Sequence, residues 1–346
     1  MSGPAVSDRC RSVVTWTYDS FPVPDGSLDL RGDNSPPLET ARLVLAGLNA
    51  TAEQAAFYGP VAGEQPLREA VGRMLGLSAA QVVITAGGSE ALHLALLCAA
   101  DPGDTVIAPR PGFPGFDQLA VLAGLHVDHY DVPGPIPGVG HGQVRVICSP
   151  HNPTGVLVGR QDVRPGGGWT IWDVSHSAPL ITSHPGAPAT ERDIVVFSLS
   201  KLLRLPGIRI GCLASPSAAL IKAVEAVKTH MSMSASQLSQ QVALGVLTSP
   251  TIQAELGARK HQVDSHRLRL QTAVSRSTAL RCVEADAGTH LLISAEREAD
   301  AGATLRAAGI IGLPGVVFGT DQSTVRLCTA QPAVVIDAAA HILEQQ

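Results

Sequence analysis

The 346 residues carry 45% apolar and 16% charged side chains, with a formal net charge of −5. That balance supports a sizeable core and argues against disorder, and the length suits one large domain or two of moderate size. The acidic balance and the absence of any Lys/Arg run exclude a nucleic-acid surface, and no apolar run reaches the 18 residues of a membrane span.

The start of the chain has no apolar stretch of the kind a secretory leader needs. Its six cysteines (10, 98, 148, 212, 282 and 328) are scattered, without Cys-x-x-Cys, and read as reduced thiols of a cytoplasmic protein. The twelve histidines show no metal-binding spacing.

In chain order, residues 1–40 read as loop, with Trp16, Tyr18 and Phe21 among prolines. Helical spacing follows at about 38–49, and Phe57 to Arg68 leads into an amphipathic helix ending near Leu75. From there strands and helices alternate. Strands are predicted at Val82–Thr85, Thr105–Ala108, His126–Val132, Val144–Cys148, Thr170–Asp173, Ile194–Leu199 and Ile208–Ala214, with helices at 89–100 and 115–124. Seven short apolar strands with helices between them predict a three-layer αβα unit around a mostly parallel seven-stranded sheet. Residues 215–274 read as helical, with one long pattern over 216–249 broken near Ser249-Pro250, and 279–346 as α+β. The expected division is a large α/β unit over 40–240 and a smaller α+β unit built from 1–39 and 241–346.

Open α/β sheets bind ligands at the carboxyl ends of their strands, so the residues after each strand carry the chemistry. After Val82–Thr85 comes Ala86-Gly87-Gly88-Ser89. This is either a glycine-rich turn capped by Ser89 or a phosphate cradle with free helix N–H groups. After the next strand, Phe113 stands ready to stack on a flat heterocycle or to pack in the core. After Val144–Cys148, the turn Asn152-Pro-Thr-Gly leaves the Asn152 amide facing the same crevice. Asp173 closes the apolar run Trp-Thr-Ile-Trp-Asp; a buried carboxylate needs a partner, and a protonated pyridine nitrogen would be one.

The sixth strand runs into Ser198-Leu-Ser200-Lys201, with Arg209 eight residues later. A desolvated lysine loses its charge readily and forms a Schiff base with a carbonyl. Two hydroxyls and a guanidinium beside it suit a phosphate dianion. Lysine and phosphate site together point to pyridoxal 5'-phosphate (PLP), although Ser-x-Ser-Lys alone also fits a snorkelling surface lysine. Gly166-Gly167-Gly168 has no following Lys-Ser/Thr and reads as loop. Arg326, inside a late strand, wants a carboxylate, internal or from a substrate.

In this order the residues resemble the fold-type I PLP enzymes, the aspartate aminotransferase superfamily, over nearly the whole chain. The resemblance implies that Lys201 forms the Schiff base and then shuttles the α-proton. It implies a phosphate site of Gly88, Ser89, Ser198, Ser200 and Arg209, completed in a homodimer by Tyr58 from the neighbouring subunit. Asp173 would hold the ring nitrogen, Asn152 the phenolate oxygen, Phe113 the ring face and Arg326 the substrate α-carboxylate. Asn34, in Gly32-Asp33-Asn34, would line the substrate side.

Only 21 residues separate Asn152 from Asp173, and His176, Pro179 and Met233-Ser-Ala-Ser-Gln237 follow. At this finer level the chain resembles the alliinase and plant tryptophan aminotransferase-related branch. His176 stands where the family usually has the tyrosine that donates to the cofactor's phenolate oxygen; the resemblance implies that its imidazole takes that place, and its charge is expected to change near neutral pH. The implied activity is conversion of an L-amino acid to its 2-oxo acid. The alternative is a β-eliminating C–S lyase or a cyclase of specialised metabolism.

Overall fold

In the computed structural model, residues 6–49, 56–177, 188–296, 300–321 and 323–346 are described. The predicted apolar runs form strands β2 (Val82–Thr85), β3 (Thr105–Arg110), β4 (His126–Asp131), β5 (Gln143–Cys148), β6 (Trp169–Asp173), β7 (Asp193–Phe197) and β8 (Gly211–Ala214); a two-residue strand, β1 (Leu28–Asp29), precedes them. β2 to β8 make one sheet in the order β2-β8-β7-β6-β5-β3-β4. Only β8 runs against its neighbours β2 and β7. The inner strands β6 and β7 are buried almost along their whole length because both faces are covered, whereas the edge strand β4 is polar and partly exposed. On β7, Val195 and Phe197 pack into one core and Ile194 and Val196 into the other, as the two-residue period of a strand requires. Helices Gln65–Leu75 and Gln237–Leu247 cover the first face, and Gly88–Ala99, Gly115–Leu122 and Ala218–Met231 the second.

A third core gathers both ends of the chain. Leu30 packs there with Leu270 and Val274 of the long helix Ile252–Arg276, and with Ile336 and Leu343 of the last helix, Ala333–Leu343. Beside it lies an antiparallel sheet, β12 (Leu313–Pro314), β13 (Thr324–Cys328), β10 (His290–Ala295) and β9 (Leu280–Cys282), in that order. β1 pairs in parallel with β11 (Ile310–Ile311), which ties the N-terminal segment into this smaller unit.

Three expectations change. The long pattern over 216–249 is two helices, Ala218–Met231 and Gln237–Leu247. The Ser-Met-Ser-Ala-Ser run breaks it, and Ser236 caps the second helix by accepting from Ser239 N. The expected strand from Ile208 starts only at Gly211, because Arg209 has a left-handed backbone with φ 49°. The division expected at residue 240 falls inside the helix Gln237–Leu247, which packs against helices Glu39–Ala46 and Gln65–Leu75. Pro179 lies outside the described residues. No helix among the described residues is long and apolar enough to cross a membrane.

Candidate active site

The carboxyl ends of β5, β6 and β7 open into a cavity of about 960 Å³ bounded on its far side by the smaller unit. Lys201 reaches it from a one-turn helix, Leu199–Leu202, that follows β7 directly. Leu199 and Leu202 anchor that turn in the core, which leaves the lysine facing the cavity. Its side chain is open to the cavity yet deep within the protein. Desolvation therefore lowers its pKa from the ordinary lysine value, against the opposing pull of Asp173. Its Nζ lies 3.0 Å from His176 Nε2 and 5.9 Å from the centre of the Phe113 ring.

Asp173, at the end of β6, is 9% exposed, and its Oδ1 accepts from Ser175 N at 2.9 Å. Ser175 Oγ in turn accepts from Ser198 N at 3.1 Å, which locks the ends of β6 and β7 together beneath the cavity. The phosphate candidates form a second cluster. Gly87 has φ 97°, and the helix Gly88–Ala99 starts immediately after it without a side-chain cap. Its first N–H groups are left for a ligand. The Arg209 guanidinium rests directly on Gly87: a Cβ there would lie 2.8 Å from Arg209 Nη2. The left-handed conformation of Arg209 is the kind of backbone strain that collects at binding sites.

Arg326 comes from β13 and is buried, with no carboxylate partner among the described residues. It donates to Asn152 Oδ1 at 3.1 Å and to the Arg31 carbonyl at 2.7 Å, and stacks 4.8 Å from the Phe318 ring centre. Its Nε is buried without a hydrogen-bond partner. An arginine held by neutral groups, with an orphaned N–H, suits an incoming carboxylate.

Gly88, Ser89, Phe113, Asn152, Asp173, His176, Ser198, Lys201, Arg209, Asn34 and Arg326 line one cavity. Two candidates do not. Ser200 is buried away from it: its hydroxyl donates to the Ile210 carbonyl and accepts from Ile210 N, so it pins the lysine turn to β8 and is not a phosphate ligand. Tyr58 is 81% exposed and outside the cavity of its own chain. His176 departs from expectation in its charge. Burial, reinforced by Lys201 and Arg326, holds its pKa well below 6.5, so the ring is neutral at and around neutral pH. Sequence reasoning missed Ser175, Thr289 and His290. Trp16 and Tyr18 also line the cavity, whereas Phe21 does not.

The orphaned Arg326 Nε, the bare helix start with the Arg209 guanidinium laid on Gly87 beside it, and the desolvated amine near Asp173 fit PLP as a group. A family model described as aminotransferase class I and II matches residues 27–343. The chain belongs to the class I and II aminotransferase family. Members of this family use PLP, and the chain is a PLP-dependent aminotransferase. It is 26% identical over 307 residues to the probable aspartate/prephenate aminotransferase of Thermus aquaticus, covering 79% of each. It is 25% identical over 328 residues to the arginine–pyruvate transaminase AruH of Pseudomonas aeruginosa, covering 82% of this chain and 80% of the relative. Among solved structures, a Thermus thermophilus aspartate aminotransferase single mutant superposes with a TM-score of 0.80 at 22% identity, over 99% of each chain. That likeness concerns the fold.

Proposed function

We propose that this aminotransferase holds PLP between β5, β6 and β7 and converts an L-amino acid to its 2-oxo acid, with Lys201 as the central base. The observation that carries the reading is the convergence of Lys201, Asp173 and Arg209 on one cavity at the carboxyl ends of the strands. When bound, PLP supplies a carbonyl for amines and a ring that withdraws electrons from the α-carbon. The chain's residues do the rest. Gly88, Ser89, Ser198 and Arg209 bind the phosphate, and Phe113 covers a ring face. The Asp173 carboxylate keeps a proton on the ring nitrogen. Asn152 has its Oδ1 engaged by Arg326, so its Nδ2 donors are left for the ring oxygen. Arg326 takes the substrate α-carboxylate on its free Nε, which fixes the α-carbon near Lys201. The lysine's depressed pKa provides the neutral amine a base needs, and Nζ moves the α-proton.

Tyr58 completes the phosphate site of a second copy in a homodimer, consistent with its exposure and its distance from its own cavity. The large unit holds the cofactor and the smaller unit contributes Asn34 and Arg326. We place the enzyme in the cytoplasm on its six free cysteines. The likeness to the alliinase and tryptophan aminotransferase-related branch rests on the short loop before Asp173 and on His176. Elimination or cyclisation stays second, since the relatives above are named for amino transfer.

The test supplies purified holoenzyme with single L-amino acids and no oxo acid. Stoichiometric release of the matching 2-oxo acid, once per active site, is the expected result. Repeated turnover to ammonia and pyruvate would refute transfer in favour of elimination. Lys201→Ala must abolish the visible absorbance of the bound cofactor; an unchanged spectrum overturns the assignment.

A further inference from the structure

Among the described residues, His176 is the one side chain in hydrogen-bond contact with the Lys201 amine, and it is itself gripped from the smaller unit. Thr289 Oγ1 lies 3.5 Å from His176 Nδ1, and the His290 ring packs edge-on against His176 with centroids 4.5 Å apart. These two residues are not placed casually. The preceding loop is clamped to the Asn152 turn: Asp286 N and Ala287 N both donate to the Gly155 carbonyl at 3.0 Å, and Asp286 Oδ2 accepts from Leu157 N at 2.9 Å. Gly288, at φ 75°, lets the loop pass so close that a Cβ would lie 3.0 Å from Pro150 Cβ. Thr289 is then fixed through its carbonyl, which accepts from Thr329 N at 2.8 Å, and His290 opens β10 opposite Cys328.

We propose that Thr289 and His290 are positioning residues that fix the ring orientation and tautomer of His176, and through it the proton affinity of Lys201. The argument is one of donors and acceptors. An amine carries N–H groups whether charged or neutral, so His176 meets it in both states only if Nε2 is bare. A neutral imidazole has one proton, so that proton sits on Nδ1, where the Thr289 hydroxyl is the acceptor. The 3.5 Å separation is at the long limit of a hydrogen bond. The packed His290 ring, 5% exposed, is what keeps His176 from turning away. A bare Nε2 accepts most strongly from the charged amine, so this arrangement raises the proton affinity of Lys201. The other groups facing the amine are Asp173 on β6, Cys148 on β5, Arg326 on β13 and Arg209 before β8; His176 also faces Arg326 and His151.

The inference rests on Lys201 being the cofactor lysine, which the spectrum of Lys201→Ala tests separately. The measurement here is the pH dependence of acetic anhydride labelling at Lys201 in the apoenzyme, read by mass spectrometry. A pH titration of the cofactor absorbance in the holoenzyme accompanies it. Thr289→Val removes the acceptor, so the lysine pKa is expected to fall by about half a unit to one unit. That is a threefold to tenfold rise in labelling at fixed pH below the pKa. Thr289→Ser restores the wild-type curve. His290→Ala shifts the curve in the same direction, and His290→Phe, which keeps a ring against His176, does not. Wild-type titration in both Thr289→Val and His290→Ala, even with lowered melting temperatures, overturns the proposal. So does a shift in Thr289→Val that serine fails to restore.

Discussion

Gly87→Ala is the sharpest perturbation of the phosphate cradle, because two separate effects of one methyl group can be told apart. The first is backbone strain. At φ 97° and ψ 170° an L side chain is poorly tolerated, at a cost of about 1–3 kcal/mol. The second is contact with Arg209. The new Cβ would sit 2.8 Å from Nη2 and 3.3 Å from Cζ. The guanidinium has to retreat by about half an ångström, on the scale that separates a short charge-assisted hydrogen bond from a weak one. Losing such a bond to the phosphate costs about 1.5–3 kcal/mol, so PLP affinity is expected to fall about tenfold to a hundredfold. Gly103→Ala is the control. Gly103 has φ 94° but nothing within 4 Å of its Cβ position, so it shares the strain without the contact. The assay is cofactor titration by absorbance beside a thermal melt for each variant. Both variants lose a few degrees, and only Gly87→Ala loses PLP affinity. A Gly87→Ala enzyme that binds PLP within about twofold of wild type refutes the role given to Arg209 and the helix start.

Two further outcomes follow from the same geometry. Burial holds His176 and His290 well below 6.5 and His151 at about 3. The unfolded chain takes up protons on these rings as pH falls through about 6.5 while the folded chain does not. Stability is therefore full above that value and declines below it, by about 1.4 kcal/mol per pH unit for each ring. Denaturation of His290→Phe between pH 8 and 5 should show a shallower decline by about one proton, and an unchanged slope contradicts the buried neutral state. Tyr58 makes the oligomer a test as well: sedimentation of a fully active monomer rules out its reach into a second site.

Much of the large unit could be read from the sequence because its signals are local. β2 and β7 are runs rich in β-branched residues and buried along their length, and β6 ends where a polar residue, Asp173, meets the cavity. The misread places were those where local pattern lost to tertiary demand. The apolar run from Ile208 looks like strand throughout, yet the chain turns left-handed at Arg209 to lay the guanidinium on Gly87. The serines at 232–236 read as part of one helix because none is a strong breaker by itself.

The site divides along the same line, and the division has a physical cause. Lys201, Asp173, Asn152 and Arg209 can be found because each lies at or near the end of an apolar run, where a polar side chain is conspicuous. Ser200 was misassigned for the same reason. One serine stands at the N-cap of the one-turn helix and the other lies within it, and the sequence does not say that Ser198 faces the cavity while Ser200 faces Ile210. A one-turn helix anchored by Leu199 and Leu202 decides it, because residues three apart share a face and the residue between them falls elsewhere. Thr289 and His290 carry no such mark. They precede or begin an ordinary strand more than a hundred residues from His176, and they matter only because the turn at Gly155 holds their loop in place. Where histidine replaces tyrosine beside the lysine, the ring gains a second nitrogen that has to be satisfied. The smaller unit satisfies it. A phenol in the same position would make no such demand on Thr289, so in a His176→Tyr enzyme the Thr289→Val substitution should lose its effect on the Lys201 titration.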